Sequence, residues 1–213
     1  MRKVLGIGCV TLGILCLLAS AALIFYNRWE ARNAEAASSE ILREYRQQTN
    51  VQNRTPAQTD LPEETEEAVL PDPNRKMPAV SLYGYDCIGV LSIPVLGLEL
   101  PVLADWSYDK LDAAPCQFFG NCYGPDFVIA GHNYDAHFGS LPMLQAGDLV
   151  LFTDTTGEAY CYEVVLQETL SPKATDAMLT SGFDLSLYTC TPGGGSRVTV
   201  RCRKIDPSAI KTK

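Results

Sequence analysis

The sequence has very few histidines and none of the motifs that are typical of zinc sites. Its 213 residues include only two histidines, His132 and His137, and it contains neither a CxxC pair nor an HExxH motif. Those spacings are the ones that arrange ligands around a zinc ion. The two histidines flank Asp135, and the three residues together could bind a metal in a loop. The missing motifs argue against such a site. We therefore expect no metal site.

An excess of basic residues is also missing. The chain has 17 Lys and Arg residues against 25 Asp and Glu residues, and its formal net charge is −8. Proteins that bind nucleic acids need a basic surface to neutralise phosphates. The charge balance therefore excludes nucleic acid as a partner.

Only one long hydrophobic run occurs, at residues 4–26. As a helix it would be about 35 Å long, enough to cross a bilayer. A cleaved signal peptide is the alternative, because Arg2 and Lys3 precede the run and the small residues 19–21 resemble a cleavage site. The run continues past that site to Tyr26, which is too long for a signal peptide and favours a single-pass anchor. The short N-terminal tail favours an extracytoplasmic C-terminal domain.

The rest of the chain divides by composition. Residues 27–78 begin as a polar, Ala- and Glu-rich helical stretch and continue as a linker rich in proline and acidic residues. Such a segment is typical of a stalk. Residues 79–213 form the predicted globular domain, so that residues 1–26 are the anchor and 27–78 the stalk.

The C-terminal domain has the pattern of an all-β protein. Short runs rich in β-branched and aromatic residues, separated by turn residues, predict strands. They lie at 87–94, 96–104, 117–119, 126–131, 148–154, 159–170, 183–191 and 197–205. Helical pieces are predicted near 107–113, 140–145 and 174–181. This number of short strands indicates a closed barrel or a sandwich.

The cysteines of the exported part differ in context. Cys116 and Cys122, or Cys161 and Cys202, could form disulfides outside the cell, although buried free thiols are equally consistent with the sequence. Cys190 stands apart because it ends a predicted strand immediately before the Gly-rich residues 192–196. A strand end beside such a loop can present a thiol at a cleft. Cys190 is therefore the candidate nucleophile.

A cysteine nucleophile needs an acid–base partner and a group that stabilises a developing oxyanion. His132 ends another predicted strand, whereas His137 follows in a loop, so His132 is the better partner. Arg197 and Arg201 lie on the last strand and could stabilise the oxyanion. If residues 191–196 form a hairpin loop, Arg197 lies near Cys190, and Arg201 lies about 13 Å farther along the strand. Arg197 is therefore preferred.

These residues stand in motifs that resemble those of the sortase family. The segment Leu187 to Cys190 resembles its TLxTC motif, and residues 129–133 (IAGHN) resemble the segment around its conserved histidine. Arg197 is similar to the essential arginine on the strand after the cysteine. The resemblance covers about residues 85–205.

The resemblance implies a closed eight-stranded β-barrel and a cysteine transpeptidase. Cys190 would cleave an LPxTG-like sorting signal, His132 would protonate the leaving amine, and Arg197 would hold the substrate and the oxyanion. Thr189 would contribute to substrate binding. The partners would be surface proteins or pilins with sorting signals and an amine from a peptidoglycan precursor or a pilin. No dissociable cofactor is required, although some relatives bind calcium.

The subgroup and two other functions remain open from the sequence. The polar C-terminus, and Asn74 rather than an aromatic residue after Asp72-Pro73, favour wall anchoring over pilin polymerisation. Another exported cysteine peptidase is possible, as is a membrane-tethered β-domain without catalysis that binds a surface partner. A reactive Cys190 is expected of a cysteine enzyme and not of the non-catalytic domain.

Overall fold

A computed structural model describes residues 2–52 and 75–206 of the chain and, in the first range, the side chains of residues 9–49. Most of the predicted Pro-rich linker and the C-terminal tail lie outside the described residues. The helices are α1 (Arg2–Gln52), α2 (Tyr108–Ala113) and α3 (Thr175–Leu179). The strands are β1 (Val80–Leu82), β2 (Tyr85–Ile93), β3 (Leu98–Leu103), β4 (Cys116–Phe119), β5 (Phe127–Ala130), β6 (Leu149–Asp154), β7 (Ala159–Leu170), β8 (Leu185–Cys190) and β9 (Arg197–Ile205).

Strands β2 to β9 form a closed eight-stranded barrel, which confirms the predicted fold. The strand order is β2-β3-β4-β5-β8-β9-β7-β6, and β6 pairs back with β2. Two of the neighbouring pairs, β3–β4 and β5–β8, are parallel, and the others are antiparallel. The sequence also predicted the eight barrel strands individually, whereas the short β1, which pairs antiparallel with the start of β2, was missed.

The barrel closes where Gly89 on β2 faces the end of β6. A Cβ atom at this position would lie only 2.3 Å from the carbonyl oxygen of Thr153 and 2.7 Å from the ring of Phe152. Any larger residue would therefore force the two strands apart. Glycine at position 89 lets the first and last strands of the sheet approach closely enough to pair.

The inside of the barrel is filled by apolar side chains from alternate strand positions. Phe127 and Phe152 meet edge to face, with ring centroids 5.3 Å apart. On β9 the inward residues include Val200 and Cys202, which confirms the alternation predicted from the sequence. This burial provides the main driving force for folding of the domain.

A second apolar layer lies outside the barrel, between its wall and helices α1 and α2. Among its described side chains, helix α1 buries four, Ala34, Ser38, Ile41 and Tyr45, spaced by three or four residues along one face. The hydroxyl of Tyr45 also donates to the backbone oxygen of Asp154 at 3.1 Å. The predicted helical stretch after residue 26 is therefore present, but it packs on the barrel and is not a free stalk.

Neither of the two possible disulfides forms, because each would join opposite faces of the barrel wall. Cys122 and Cys202 belong to the inner core, whereas Cys116 belongs to the outer layer. Cys161 alternates with inward-facing neighbours on β7 and so points outward. All eight cysteines of the chain are free thiols.

Candidate active site

Cys190 and Arg197 face each other across the β8–β9 hairpin. The two residues are directly paired in the antiparallel ladder, so their side chains lie on the same face of the sheet, with Cβ atoms about 5 Å apart. The six-residue loop between them is closed by Thr191 N, which donates to Ser196 O at 3.0 Å. A further bond from Gly194 N to Thr191 O is 2.7 Å long. The register predicted from the loop length is confirmed.

The two candidate arginines of β9 have different surroundings. Arg197 is half-buried, and its Nη1 donates to the backbone oxygens of Gly194 (3.1 Å) and Ser196 (3.2 Å) within the loop. Arg201 is only 1% exposed, and all three of its guanidinium nitrogens are engaged. Their partners are Glu168 Oε1 (2.8 Å), Ser186 Oγ (2.7 Å) and Ala177 O (2.6 Å). Arg201 therefore ties α3 to the barrel, and Arg197 is the arginine beside the thiol.

His132 follows β5, which lies beside β8 in the barrel. The two strands are parallel, with Ala130 opposite Tyr188, and Gly131 N donates to Tyr188 O at 3.1 Å. Continued by two residues, this register brings His132 level with Cys190 on the neighbouring strand. Both side chains then share the outer face, because each lies two positions beyond a paired residue. The topology thus brings together the Cys, His and Arg predicted from the sequence.

The ring of His132 is held by an acidic residue that the sequence did not single out. His132 Nε2 lies 3.0 Å from Asp112 Oδ1, and the two side chains are 25% and 59% exposed. Asp112 belongs to α2, whose N-cap Ser107 accepts a hydrogen bond from the backbone and whose Leu111 and Ala113 are buried. The helix therefore fixes the carboxylate, and the carboxylate orients the ring. The sequence predicted the helix, but no motif marked Asp112.

An aromatic surface borders Cys190 on the outer face. Tyr188, two residues before the thiol, packs edge to face on Phe118, and Phe118 packs on Trp106, each with centroids 5.3 Å apart. Burial raises the pKa of Tyr188, although nearby Arg197 acts in the opposite direction. Tyr188 is therefore a neutral phenol at physiological pH, and its ring contributes to an apolar surface beside the thiol.

His137 lies near His132 but cannot play the same part. It is fully buried, and neither ring nitrogen has a hydrogen-bond partner in the described part of the chain. Burial, together with His132, lowers the pKa of His137 to about 4. The ring of Tyr134 separates the two histidines, with centroids 4.8 Å from His132 and 5.8 Å from His137. Among the described residues, no group of three potential ligands is placed to hold a metal.

Thr189 does not point toward the thiol. It is 2% exposed, and strand alternation places its side chain on the inner face with Leu187, opposite to Cys190. Its Oγ1 has no hydrogen-bond partner within the described residues. A role in substrate binding, as the sequence predicted, would therefore rest on its backbone.

Most other thiols of the domain are held in a protonated, unreactive state. Burial raises the pKa of Cys87 to about 11 and that of three others to about 12, namely Cys116, Cys122 and Cys202. Cys161 is also buried, whereas Cys190 is half-buried at the surface. Because the thiolate is the nucleophile, accessibility favours Cys190 as the reactive cysteine.

Comparisons with solved structures find the same fold in sortases. Sortase A from Corynebacterium diphtheriae aligns over 60% of this chain and 64% of its own, with 23% identity and a TM-score of 0.54. Sortase C1 from Streptococcus suis aligns over 59% and 76%, with 26% identity and a TM-score of 0.53. The Clostridium perfringens Sortase D5 transpeptidase aligns over 82% and 99%, with 19% identity and a TM-score of 0.53. The chain thus spans less than two thirds of the C. diphtheriae enzyme.

A search of curated proteins finds no match. Residues 91–205, more than half of the chain, match the family model described as Sortase domain. This range includes β3 to β9 and all four residues Asp112, His132, Cys190 and Arg197. The chain therefore belongs to the sortase family.

Proposed function

We propose that the chain is a membrane-anchored cysteine transpeptidase that cleaves an LPxTG-like sorting signal and joins it to an amine. The observation that carries the proposal is the convergence of three side chains. Cys190 is paired with Arg197 across one hairpin, and His132 lies two residues after the end of β5, the strand beside β8. A nucleophile, an acid–base group and a permanent cation at one barrel edge are the components of acyl transfer.

The reaction proceeds in two steps. The thiolate of Cys190 attacks the carbonyl of a Thr–Gly-type bond, and the C–N bond breaks as His132 gives a proton to the leaving amine. The product is a thioacyl enzyme. His132 then takes a proton from the acceptor amine, which attacks the thioester and releases Cys190 as thiolate.

Arg197, Asp112 and Thr189 support the reaction of Cys190 and His132. Arg197 binds the substrate and stabilises each tetrahedral oxyanion, because its charge is permanent and lies opposite the thiol. Asp112 accepts the hydrogen bond from His132 Nε2–H and so leaves Nδ1 free to exchange a proton. Thr189 contributes its backbone to substrate binding.

The partners follow from this chemistry and from helix α1. The donor is a surface protein or pilin that carries a sorting signal, and the acceptor is an amine of a peptidoglycan precursor or a pilin. The apolar part of α1 could span a membrane, which would place the catalytic domain on the extracytoplasmic side. The feature that favours wall anchoring, Asp72-Pro73-Asn74, lies outside the described residues.

The test is peptide joining by the full-length protein in detergent micelles. We expect the wild type to join an LPxTG-type peptide to an amine, and Cys190→Ala to abolish the reaction. His132→Ala and Arg197→Ala should each slow it strongly without changing the fold. Cys16→Ala, which removes an exposed thiol from the apolar part of α1, is the matched control. Full activity of Cys190→Ala would exclude the mechanism, and a folded wild type that forms no thioacyl adduct would favour a binding domain.

A further inference from the structure

A groove lies between helix α1 and the two loops that carry the catalytic residues. Its volume is about 530 Å³. One wall is formed by residues 27, 28, 30 and 31 of α1, and the other by residues 132–135 and 192–193. The groove therefore includes His132 itself and begins two residues after Cys190.

Helix α1 is held in this position by packing on the C-terminal side of the groove. Ala34, one turn after Glu30, is buried against the body of the domain. Next to it, Glu30 lies beside Tyr134, and burial together with this carboxylate raises the pKa of Tyr134. The ring of Tyr134 stacks on His132 with centroids 4.8 Å apart. The wall contributed by α1 is thus connected to the catalytic histidine through one intervening side chain.

The lining of the groove combines apolar and polar side chains, and it contains more carboxylates than guanidinium groups. It has two carboxylates, from Glu30 and Asp135, and one guanidinium group, from Arg28. Asn27 and Asn133 add side-chain amides. An acceptor amine on a lysine-like side chain is an ammonium ion at neutral pH, with a pKa of about 10.4 in the free state. Carboxylates attract such an ion, and side-chain amides suit the peptide that carries it.

The position of the groove matches the step in which an acceptor is needed. Before the amine can attack the thioester on Cys190, it must lose a proton to His132. A ligand in the groove lies against His132 and beside the loop that follows Cys190. An ammonium held there by carboxylates therefore has a short path to both the base and the thioester.

We propose that this groove is the acceptor site, that α1 forms one of its walls, and that its ligand is the ammonium-bearing side chain of a peptide. The inference rests on the proposed transpeptidase function. Because the apolar run of α1 ends at Tyr26 and the groove begins at Asn27, an anchored enzyme would hold this site at the membrane surface. A lipid-linked peptide and a soluble protein lysine both carry the required chemistry.

The test compares two nucleophiles on the same thioacyl enzyme. Full-length protein in detergent micelles is first acylated with a sorting peptide and then treated with a lysine-containing peptide or with hydroxylamine. Hydroxylamine is small and largely uncharged at neutral pH, so it needs no binding groove. The informative quantity is the ratio of the lysine-peptide rate to the hydroxylamine rate. A lysine peptide attached to a lipid in the micelle, compared with the soluble one, distinguishes the two acceptor sources.

Four of the five variants lie on helix α1, and Asp135→Asn lies on the opposite wall of the groove. We expect Glu30→Gln and Asp135→Asn each to lower that ratio about fivefold at low salt, with a smaller effect at high salt. Ala31→Trp should fill the groove and lower the ratio at every ionic strength. Glu35→Gln and Ala36→Trp, which alter exposed positions of α1, should leave it at the wild-type value.

The outcomes separate this inference from the function on which it rests. A wild-type protein that forms no thioacyl enzyme with any sorting peptide would overturn the proposed function. A wild type that is acylated normally, with ratios unchanged in Glu30→Gln, Asp135→Asn and Ala31→Trp, would overturn the acceptor groove alone. A preference for the lipid-attached peptide would assign the site to a membrane-linked acceptor, and equal rates would assign it to peptide amines generally.

Discussion

His132 Nε2 lies 3.0 Å from Asp112 Oδ1, so the catalytic histidine candidate is oriented by a helix that precedes it in the chain. The carboxylate fixes the tautomer that carries a proton on Nε2, and this tautomer leaves Nδ1 available for the thiol and the amines. The pair adds a positioning residue to the Cys–His–Arg set.

Asp112→Ala should lower kcat about tenfold while the KM of the sorting peptide changes little, because the ring loses its orientation rather than its substrate contacts. Asp112→Glu should restore part of the rate. Asp109→Asn, in the first turn of the same helix, serves as control. Nitrogen-15 NMR should show a shift of the His132 tautomer equilibrium in Asp112→Ala, and an unchanged equilibrium with an unchanged kcat would refute the role.

Substitutions of the two candidate arginines of β9 should have different effects: one should lower catalytic activity and the other should lower stability. Removal of Arg197 removes a charged donor opposite the thiol, and we expect Arg197→Ala to lower turnover about 10²- to 10³-fold with no change in Tm. Arg201→Ala leaves the Glu168 carboxylate without its buried partner and should lower the free energy of unfolding by about 3 kcal/mol. Thermal denaturation and peptide joining on both variants check this division. The reverse pattern would show that the arginines have been assigned the wrong way round.

The stability of the domain should fall as the pH decreases from about 6.5 to 4. In the unfolded chain His137 takes up a proton near pH 6.5, whereas burial lowers its pKa to about 4 in the folded protein, so protons bind preferentially to the unfolded state in this window. The loss attributable to His137 is about 3 kcal/mol. Unfolding measured between pH 7 and 4 should show a smaller pH dependence in His137→Phe, which does not titrate. Identical curves for the wild type and the variant would argue against a buried neutral His137.

Barrel closure should depend on glycine at position 89, which has no side chain. An added methyl group would lie 2.3 Å from Thr153 O, so Gly89→Ala should lower the free energy of unfolding by about 2 kcal/mol or more. Gly195→Ala, whose methyl would meet nothing within 4 Å, is the control for the loss of a glycine. A Gly89→Ala protein as stable as the control would mean that β2 and β6 are not held in this register.

The strands and the placement of the candidate site residues could be predicted because they depend on local patterns. Alternation marked β9, and the length of the Gly-rich loop placed Arg197 opposite Cys190. The position of His132 just after a predicted strand sufficed to bring it to the same barrel edge, since the carboxyl ends of neighbouring parallel strands lie at the same edge.

What the sequence could not show depends on contacts between distant segments. Asp112 and His132 come from different elements, and an exposed carboxylate on a short helix carries no distinguishing pattern. The packing of α1 was hidden for a similar reason, because its buried face contains Ala34 and Ser38, which are small or polar and do not form an apolar stripe. The inward direction of Thr189, by contrast, follows from strand alternation once Cys190 is known to face outward.

The most direct measurement is the intact mass of the full-length protein after incubation with a panel of LPxTG-like peptides. We predict that the wild type gains the mass of the peptide portion up to the cleaved Thr, carried on Cys190, and that Cys190→Ala gains nothing. An adduct that persists in Cys190→Ala, or its absence from the wild type with every peptide while the fold is intact, would contradict thioacyl transfer by this chain.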